Sequence, residues 1–177
     1  MQLVVRGYND GFAFCYKIPD GKGPCVNVQS ELTAYNFAGD YTAWFYNGEN
    51  HNIGPEKLTE TDGTRLPVMT VKAGDKHYMA IHEACLETGA PLVLQSKGGE
   101  SLFSVASKPT SLAPGYTSAW RVVLYGATPG VLTDSHLLEL LNPDPDSRYD
   151  FSWVKPGLAV WDWRINGAVW DGFTYGM

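Results

Sequence analysis

Long apolar runs, clustered basic residues and an even set of cysteines are all missing from these 177 residues. No stretch approaches the roughly 20 apolar residues that cross a bilayer, so no membrane-spanning helix is expected. Met1 leads directly into strand-like sequence, without the basic and then apolar regions of a secretory leader, and the chain reads as soluble and untargeted. Lys and Arg number 13 against 19 Asp and Glu, for a net charge of −6. Because the cations are also dispersed, nucleic acid is excluded as an expected partner. Cys15, Cys25 and Cys85 cannot all pair and have no metal-ligand spacing, which argues against a disulfide framework or a zinc centre and for packing roles. His51, His77, His82 and His136 share no spacing suited to one ion, and each reads as a surface or packing histidine.

What is present points to β-structure. Charged residues make up only 18% of the chain, and its 19 Gly and 11 Pro favour short strands and turns over long amphipathic helices. The length suits one sizeable core. Leu3 to Tyr16 reads as a hairpin turning at Asn9, Asp10 and Gly11, since Asp-Gly is a strong two-residue turn signal. Further breaks are expected at Asp20-Gly21, Gly39-Asp40, Asn47-Gly48, Asp62-Gly63, Gly74-Asp75 and Gly98-Gly99. Strands are predicted over Leu66 to Val71, Tyr78 to Ala84, Pro91 to Gln95, Ser101 to Val105 and Trp120 to Tyr125, and turns at this spacing suggest a sandwich. A helical turn fits Ser135 to Leu141, capped by Asp134 or Ser135, with Leu137 stacked over Leu141. Asn142-Pro143 ends it, and the Pro- and Asp-rich stretch to Tyr149 reads as a surface connection. Four of the six tryptophans then fall between Trp153 and Trp170, marking a change of composition.

Several blocks carry a family resemblance. The hairpin Tyr8-Asn-Asp-Gly-Phe-Ala-Phe-Cys-Tyr16, the pair of strands around Leu66-Pro67-Val68 and Tyr78-Met-Ala-Ile-His-Glu-Ala84, and the ordered series from Ala119-Trp120-Arg121 through Gly130 to Ser135, Leu141-Asn142-Pro143, Trp153-Val-Lys-Pro-Gly157 and Trp161-Asp162-Trp163 are similar to glycoside hydrolase family 97 proteins. The resemblance implies an N-terminal β-super-sandwich of the galactose-mutarotase type, cut at its start, over residues 1–152. Residues 153–177 would then be a linker and the beginning of a catalytic (β/α)8 TIM barrel, whose first strand is Val160 to Trp163. Such enzymes hydrolyse α-linked glucosides by inversion or α-galactosides by retention, use active-site calcium, and are exported to the periplasm or beyond. The chain departs from glucosidase-like members at Arg164 to Gly167 and at Ser118-Ala119, so neither sugar is carried over. The alternative is a stand-alone carbohydrate-binding or structural β-sandwich module.

The site residues follow from that resemblance. Glycoside hydrolysis needs two carboxyl groups, about 5 Å apart for retention or roughly 6.5 to 9.5 Å for inversion. In the family they come from later barrel strands, so no catalytic residue is assigned here and the chain alone is expected to be inactive. Glu83 matches the glutamate that supplies a calcium ligand from the N-terminal domain. Alternation along a regular strand also places Glu83 beside Met79, Ile81 and Cys85, where a carboxylate needs a cation or a partner. Two readings stay open: a calcium ligand, or a side chain that reaches water or an arginine such as Arg121. One carboxylate is insufficient for calcium, which takes about 6 to 8 oxygens. Trp163 and Arg164, with Asp162, are the substrate-side candidates for an oligosaccharide or α-glycoside, while Trp161 reads as packing. Gly167 to Gly176 lacks the context of a phosphate loop.

Overall fold

The computed structural model describes residues 1–46, 52–87 and 90–158. In chain order the strands are β1 (Gln2–Tyr8), β2 (Gly11–Lys17), β3 (Val26–Val28), β4 (Ala34–Asn36), β5 (Thr42–Tyr46), β6 (Asn52–Lys57), β7 (Asp62–Lys72), β8 (Tyr78–Ala84), β9 (Leu94–Lys97), β10 (Leu102–Val105), β11 (Thr110–Leu112) and β12 (Trp120–Gly126). Two short helices follow, α1 (Pro129–Asp134) and α2 (Leu137–Leu141). The mainly β reading holds.

Among the described residues ten strands join in one antiparallel sheet, in the order β1-β2-β12-β8-β7-β9-β10-β4, with β5 pairing β7 and β6. A small second sheet pairs β3 with β11. The larger sheet is curled, and β7 is where it turns. Its residues Met69 to Lys72 pair β8, whereas Asp62 to Arg65 pair β9. Pro67, which has no N–H to give to a ladder, sits between the two halves. One strand thereby serves both wings of the sheet, as strands do at the corners of sandwiches.

Each face of the sheet has its own core. On the inner face, Ala43 and Phe45 of β5, Met69 and Val71 of β7 and Ile81 of β8 meet Leu94, Phe103 and Val105 from β9 and β10. Phe103 is fully buried, tilted against Phe45 at 5.7 Å and edge-on to Phe37 at 6.4 Å. On the outer face, Ala13 and Cys15 of β2, Ala80 and Ala84 of β8 and Trp120, Val122 and Leu124 of β12 lie under Leu137 and Leu141 of α2. Alternate residues of β8 therefore feed different cores, as period-two geometry requires. The alanines leave room for the helix.

Several expectations shift in detail. The hairpin forms, with Tyr8 opposite Gly11, but Gly11 belongs to β2 rather than to the turn. Its φ is 157°, and a Cβ there would lie 2.2 Å from the Val123 carbonyl oxygen, so the close approach of β12 requires glycine. Tyr78–Ala84 is a strand as predicted, whereas the 91–95 strand begins only at Leu94. Asp62-Gly63 is not a break: both residues pair within β7, where Gly63 supplies a positive φ. The predicted helix is two helices, and Leu137 over Leu141 is buried as expected. α2 starts at Leu137 with His136 as its N-cap rather than Asp134 or Ser135: Asp134 ends α1, and Ser135 lies one residue before the cap, its hydroxyl accepting the Leu137 N–H at 3.2 Å. Cys15 packs in the outer core and Cys85 against it, whereas Cys25 is exposed and has no packing role. Asn47-Gly48 lies outside the described residues.

By internal contacts residues 1–143 form one unit and residues 144–177 another. In the second, Arg148 pairs with Asp146 at 2.6 Å and the rings of Tyr149 and Phe151 lie 6.2 Å apart, all within an exposed stretch. No helix of the described residues is long and apolar enough to cross a membrane.

In the inner core the Phe103 ring packs against Phe45 and Phe37 and is fully buried. Phe103→Ala is expected to lower stability by about 3–5 kcal/mol. In urea denaturation this should appear as a lower midpoint with an unchanged slope. A loss below about 1 kcal/mol would contradict the packing described.

Candidate functional site

Glu83 reaches its position through strand register. On β8 it shares the inner face with Met79 and Ile81. The antiparallel pairing of β12 puts Arg121 directly opposite Glu83, and the next ladder puts Phe14 on the other side of Arg121. Cys85 departs from the predicted face: β8 ends at Ala84, and a φ of 55° at Cys85 turns it to the outer core. Its N–H is taken by Asn142 Oδ1 at 3.0 Å, which fixes the strand end. The Glu83 N–H donates to His82 Nδ1 at 2.8 Å. Burial pushes the His82 imidazole below its ordinary value, so this nitrogen stays free to accept.

A third charge comes from the loop between β3 and β4. Glu31 takes the Arg121 guanidinium in a fork, with Nε at 3.0 Å from Oε1 and Nη2 at 2.7 Å from Oε2. The remaining edge of the guanidinium, Nη1, lies 3.5 Å from Glu83 Oε2. That same oxygen accepts the Leu92 N–H at 2.6 Å, two residues before β9 begins. The Thr33 hydroxyl donates to Glu31 Oε1 at 2.8 Å, and Tyr16 donates to the Thr33 oxygen at 2.8 Å. Side-chain exposures of 5% for Arg121, 7% for Glu83 and 17% for Glu31 place all three charges largely away from water.

One guanidinium facing two carboxylates leaves the group with net negative charge, and the two acids do not share the cation equally. Burial would raise Glu31, but the hydrogen bonds and charge of Arg121, helped by Thr33, hold it below the usual carboxylate value. Burial raises Glu83 too, and there the Leu92 N–H and the more distant arginine do not cancel it. Glu83 is thus the less neutralised acid. A groove of about 740 Å³ opens beside the cluster, walled by Tyr16, Glu31, Leu32, Val93, Tyr116 and Arg121.

Glu83 therefore meets Arg121, one of the two partners its pattern left open. Its oxygens are the donors a hard cation selects, but they are two of the several it needs. Among the described residues no group of three or more His, Cys, Asp or Glu side chains could hold a metal. Asp162, Trp163 and Arg164 lie outside the described residues, as does His51. The functional residue that sequence reasoning missed is Glu31, and a signal for it existed: a charged Arg121 in an otherwise apolar strand demands buried acids from elsewhere in the chain.

Removing the shared cation should be costly. Arg121→Met is expected to lose about 3–5 kcal/mol at pH 7, because two buried carboxylates are left without a counter-charge. Both acids then titrate above their unfolded values in the folded protein, so the folded state binds more protons and stability returns as pH falls. In the native protein the depressed Glu31 acts oppositely, since its contribution is present above the ordinary carboxylate value and lost on acidification. Urea denaturation at pH 7 and pH 5 should show the gap between variant and parent narrowing at the lower pH. An equal gap at both would contradict the charge arrangement.

The comparisons with known proteins agree with this architecture. The family described as Glycosyl-hydrolase 97 N-terminal matches residues 1–143. A retaining alpha-galactosidase of Bacteroides thetaiotaomicron is 27% identical over 91% of this chain and 30% of its own length. A probable retaining alpha-galactosidase of Streptomyces bingchenggensis is 30% identical over 93% of this chain and 26% of its own. Among solved structures, a family 97 enzyme from Pseudoalteromonas sp. strain K8 in complex with acarbose superposes with a TM-score of 0.75 at 25% identity, over 88% of this chain and 25% of its own. The chain thus spans between a quarter and a third of the length of these relatives. With the curled sheet and its matched residues together, the chain belongs to glycoside hydrolase family 97, of which it represents the N-terminal domain.

Proposed function

We propose that this chain is the N-terminal part of a calcium-using α-glycosidase, in which a β-super-sandwich packs on a (β/α)8 barrel and presents Glu83 to the active site. The observation that carries the reading is a buried carboxylate at the end of β8 that its arginine neutralises only in part. Such a group is stabilised by a further cation. Calcium bound there would fix sugar oxygens and offset negative charge, with its remaining oxygen ligands drawn from outside the described residues.

In the same reading residues 1–152 form the sandwich domain, residues 153–177 lead into the barrel, and Trp163, Arg164 and Asp162 stand on the substrate side of its first strand. The catalytic carboxyl pair belongs to later barrel strands. The names of two relatives, a retaining and a probable retaining alpha-galactosidase, support an α-galactoside as one substrate, for which the carboxyl groups would stand about 5 Å apart, and the acarbose complex of a third supports an α-glucoside as the other. Export to the periplasm or beyond belongs to this reading.

The test uses the full-length protein that contains this chain. It should cleave p-nitrophenyl α-galactoside or α-glucoside, lose activity in EDTA and regain it with calcium. Glu83→Gln should lower kcat/KM at least about tenfold and raise the calcium needed for half-activation, equivalent to about 1.4 kcal/mol of lost stabilisation. Full activity of this variant in calcium-free buffer would sink the proposal.

A further inference from the structure

Three strands of the larger sheet, β1, β4 and β6, have a neighbour on one side only among the described residues. Two of these edges are built against further pairing. β4 has three residues, and β6 carries Pro55, Glu56 and Lys57 and a register shift against β5. β1 has none of these devices: its seven residues pair β2 without a shift, with no proline and with Arg6 as the one charge.

The free edge of β1 has a defined phase. The Tyr16 N–H donates to Ser118 Oγ at 3.0 Å and the Tyr16 carbonyl accepts the Ser118 N–H at 2.9 Å, so the main-chain groups of Tyr16 face away from β1. Leu3, opposite Tyr16, therefore turns its own N–H and C=O to the open side, and alternation does the same for Val5 and Gly7. The side chains of Leu3 and Val5, 59% and 60% exposed, stand on the face opposite Val4 and Tyr8, which pack against the outer core.

We infer that the free edge of β1 docks on the same edge of a second copy of this chain, antiparallel, with Val4 facing Val4 across a two-fold axis. The choice of occupant rests on the sequence Gln2-Leu3-Val4-Val5-Arg6, which is self-complementary in that register. Leu3 of each copy meets Val5 of the other, and the two exchange main-chain hydrogen bonds, because both present their amides to the open side. On the other face Gln2 meets Arg6, whose guanidinium lies 4.8 Å over its own Trp120 ring and finds an acceptor in the Gln2 amide oxygen. No charge faces a like charge. A slide of two residues would instead set Leu3 against Gly7 and Val4 against Arg6, losing the apolar pairs. The pairing uses the β1 edge of both copies and closes at two.

The experiment is sedimentation equilibrium of the 177-residue chain at roughly 100 µM, because one strand pair lies at the small end of stable interfaces. The mass should approach twice the 19.5 kDa of one chain and fall on dilution. Val5→Lys should raise the dissociation constant at least about tenfold with parental thermal unfolding, since the side chain is exposed in the single copy. Leu140→Lys, which removes a 61% exposed apolar side chain from α2, should stay within about twofold of the parent. In a Cys25→Ser background, Val4→Cys should form an intermolecular disulfide on oxidation, since facing residues of a non-hydrogen-bonded pair lie about 4.5 Å apart at Cα. Should Val5→Lys not fold, the cross-link decides. A single-chain mass at this concentration, growth past two copies, parental association in Val5→Lys, an equal loss in Leu140→Lys or no cross-link through Val4→Cys each overturns the inference.

Discussion

Arg121 sits across a strand ladder from Glu83, and that single register ties the fold to the site. Antiparallel pairing fixes which residues face each other, and a slip of one position would send every side chain of β12 to the opposite face. Trp120, Val122 and Leu124 would then leave the outer core, and Arg121 would enter it. The apolar alternation of β12 therefore specifies the position of the guanidinium as firmly as it specifies the packing under α2. Leu92 extends the same logic, because its amide belongs to the Glu83 carboxylate instead of a neighbouring strand.

The curl of the sheet supplies the rest of the environment. Because β7 pairs β8 with one half and β9 with the other, the wing formed by β9, β10 and β4 folds over the inner face of β5, β7 and β8. Ile81, two residues before Glu83 on the same face, lies fully within that closed core. The inner face of β1 and β2 is less covered: Leu3, Val5 and Phe12 are exposed. Glu83 lies near the end of its strand, where its side chain is 7% exposed and held by Arg121 and the Leu92 N–H.

Strand positions were legible where local pattern and tertiary demand coincided. Tyr78–Ala84 was readable because its alternation serves two cores at once, and the hairpin because Asn9, Asp10 and Gly11 interrupt two extended runs, although Gly11 proves to be the first residue of β2. Failures came where a tertiary partner overrode the local signal. Asp62-Gly63 looks like a break, but pairing with β9 draws it into the ladder. Pro91 to Val93 looks extended but precedes β9: the Leu92 N–H goes to the Glu83 carboxylate, while the Val93 carbonyl accepts the Ala106 N–H at 2.9 Å. Cys85 left its predicted face through one residue of left-handed backbone that no periodicity announces. Of the site, Glu83 and its meeting with Arg121 could be read, since a charged residue amid apolar alternation needs a partner. Glu31 could not be placed, because its loop has no periodicity and its partner lies 90 residues away in sequence.

As a device for stability the three-charge cluster is a poor choice. A buried ion pair often does no better than apolar residues of the same volume, and a second acid on one arginine adds desolvation without a matching gain in attraction. A fold needing only rigidity at this point would be served by one carboxylate. Two, arranged so that one receives the short contacts and the other a longer one, hold the Glu83 carboxyl at the end of β8 above its ordinary value, since burial and the nearby Glu31 charge outweigh the Leu92 N–H and Arg121.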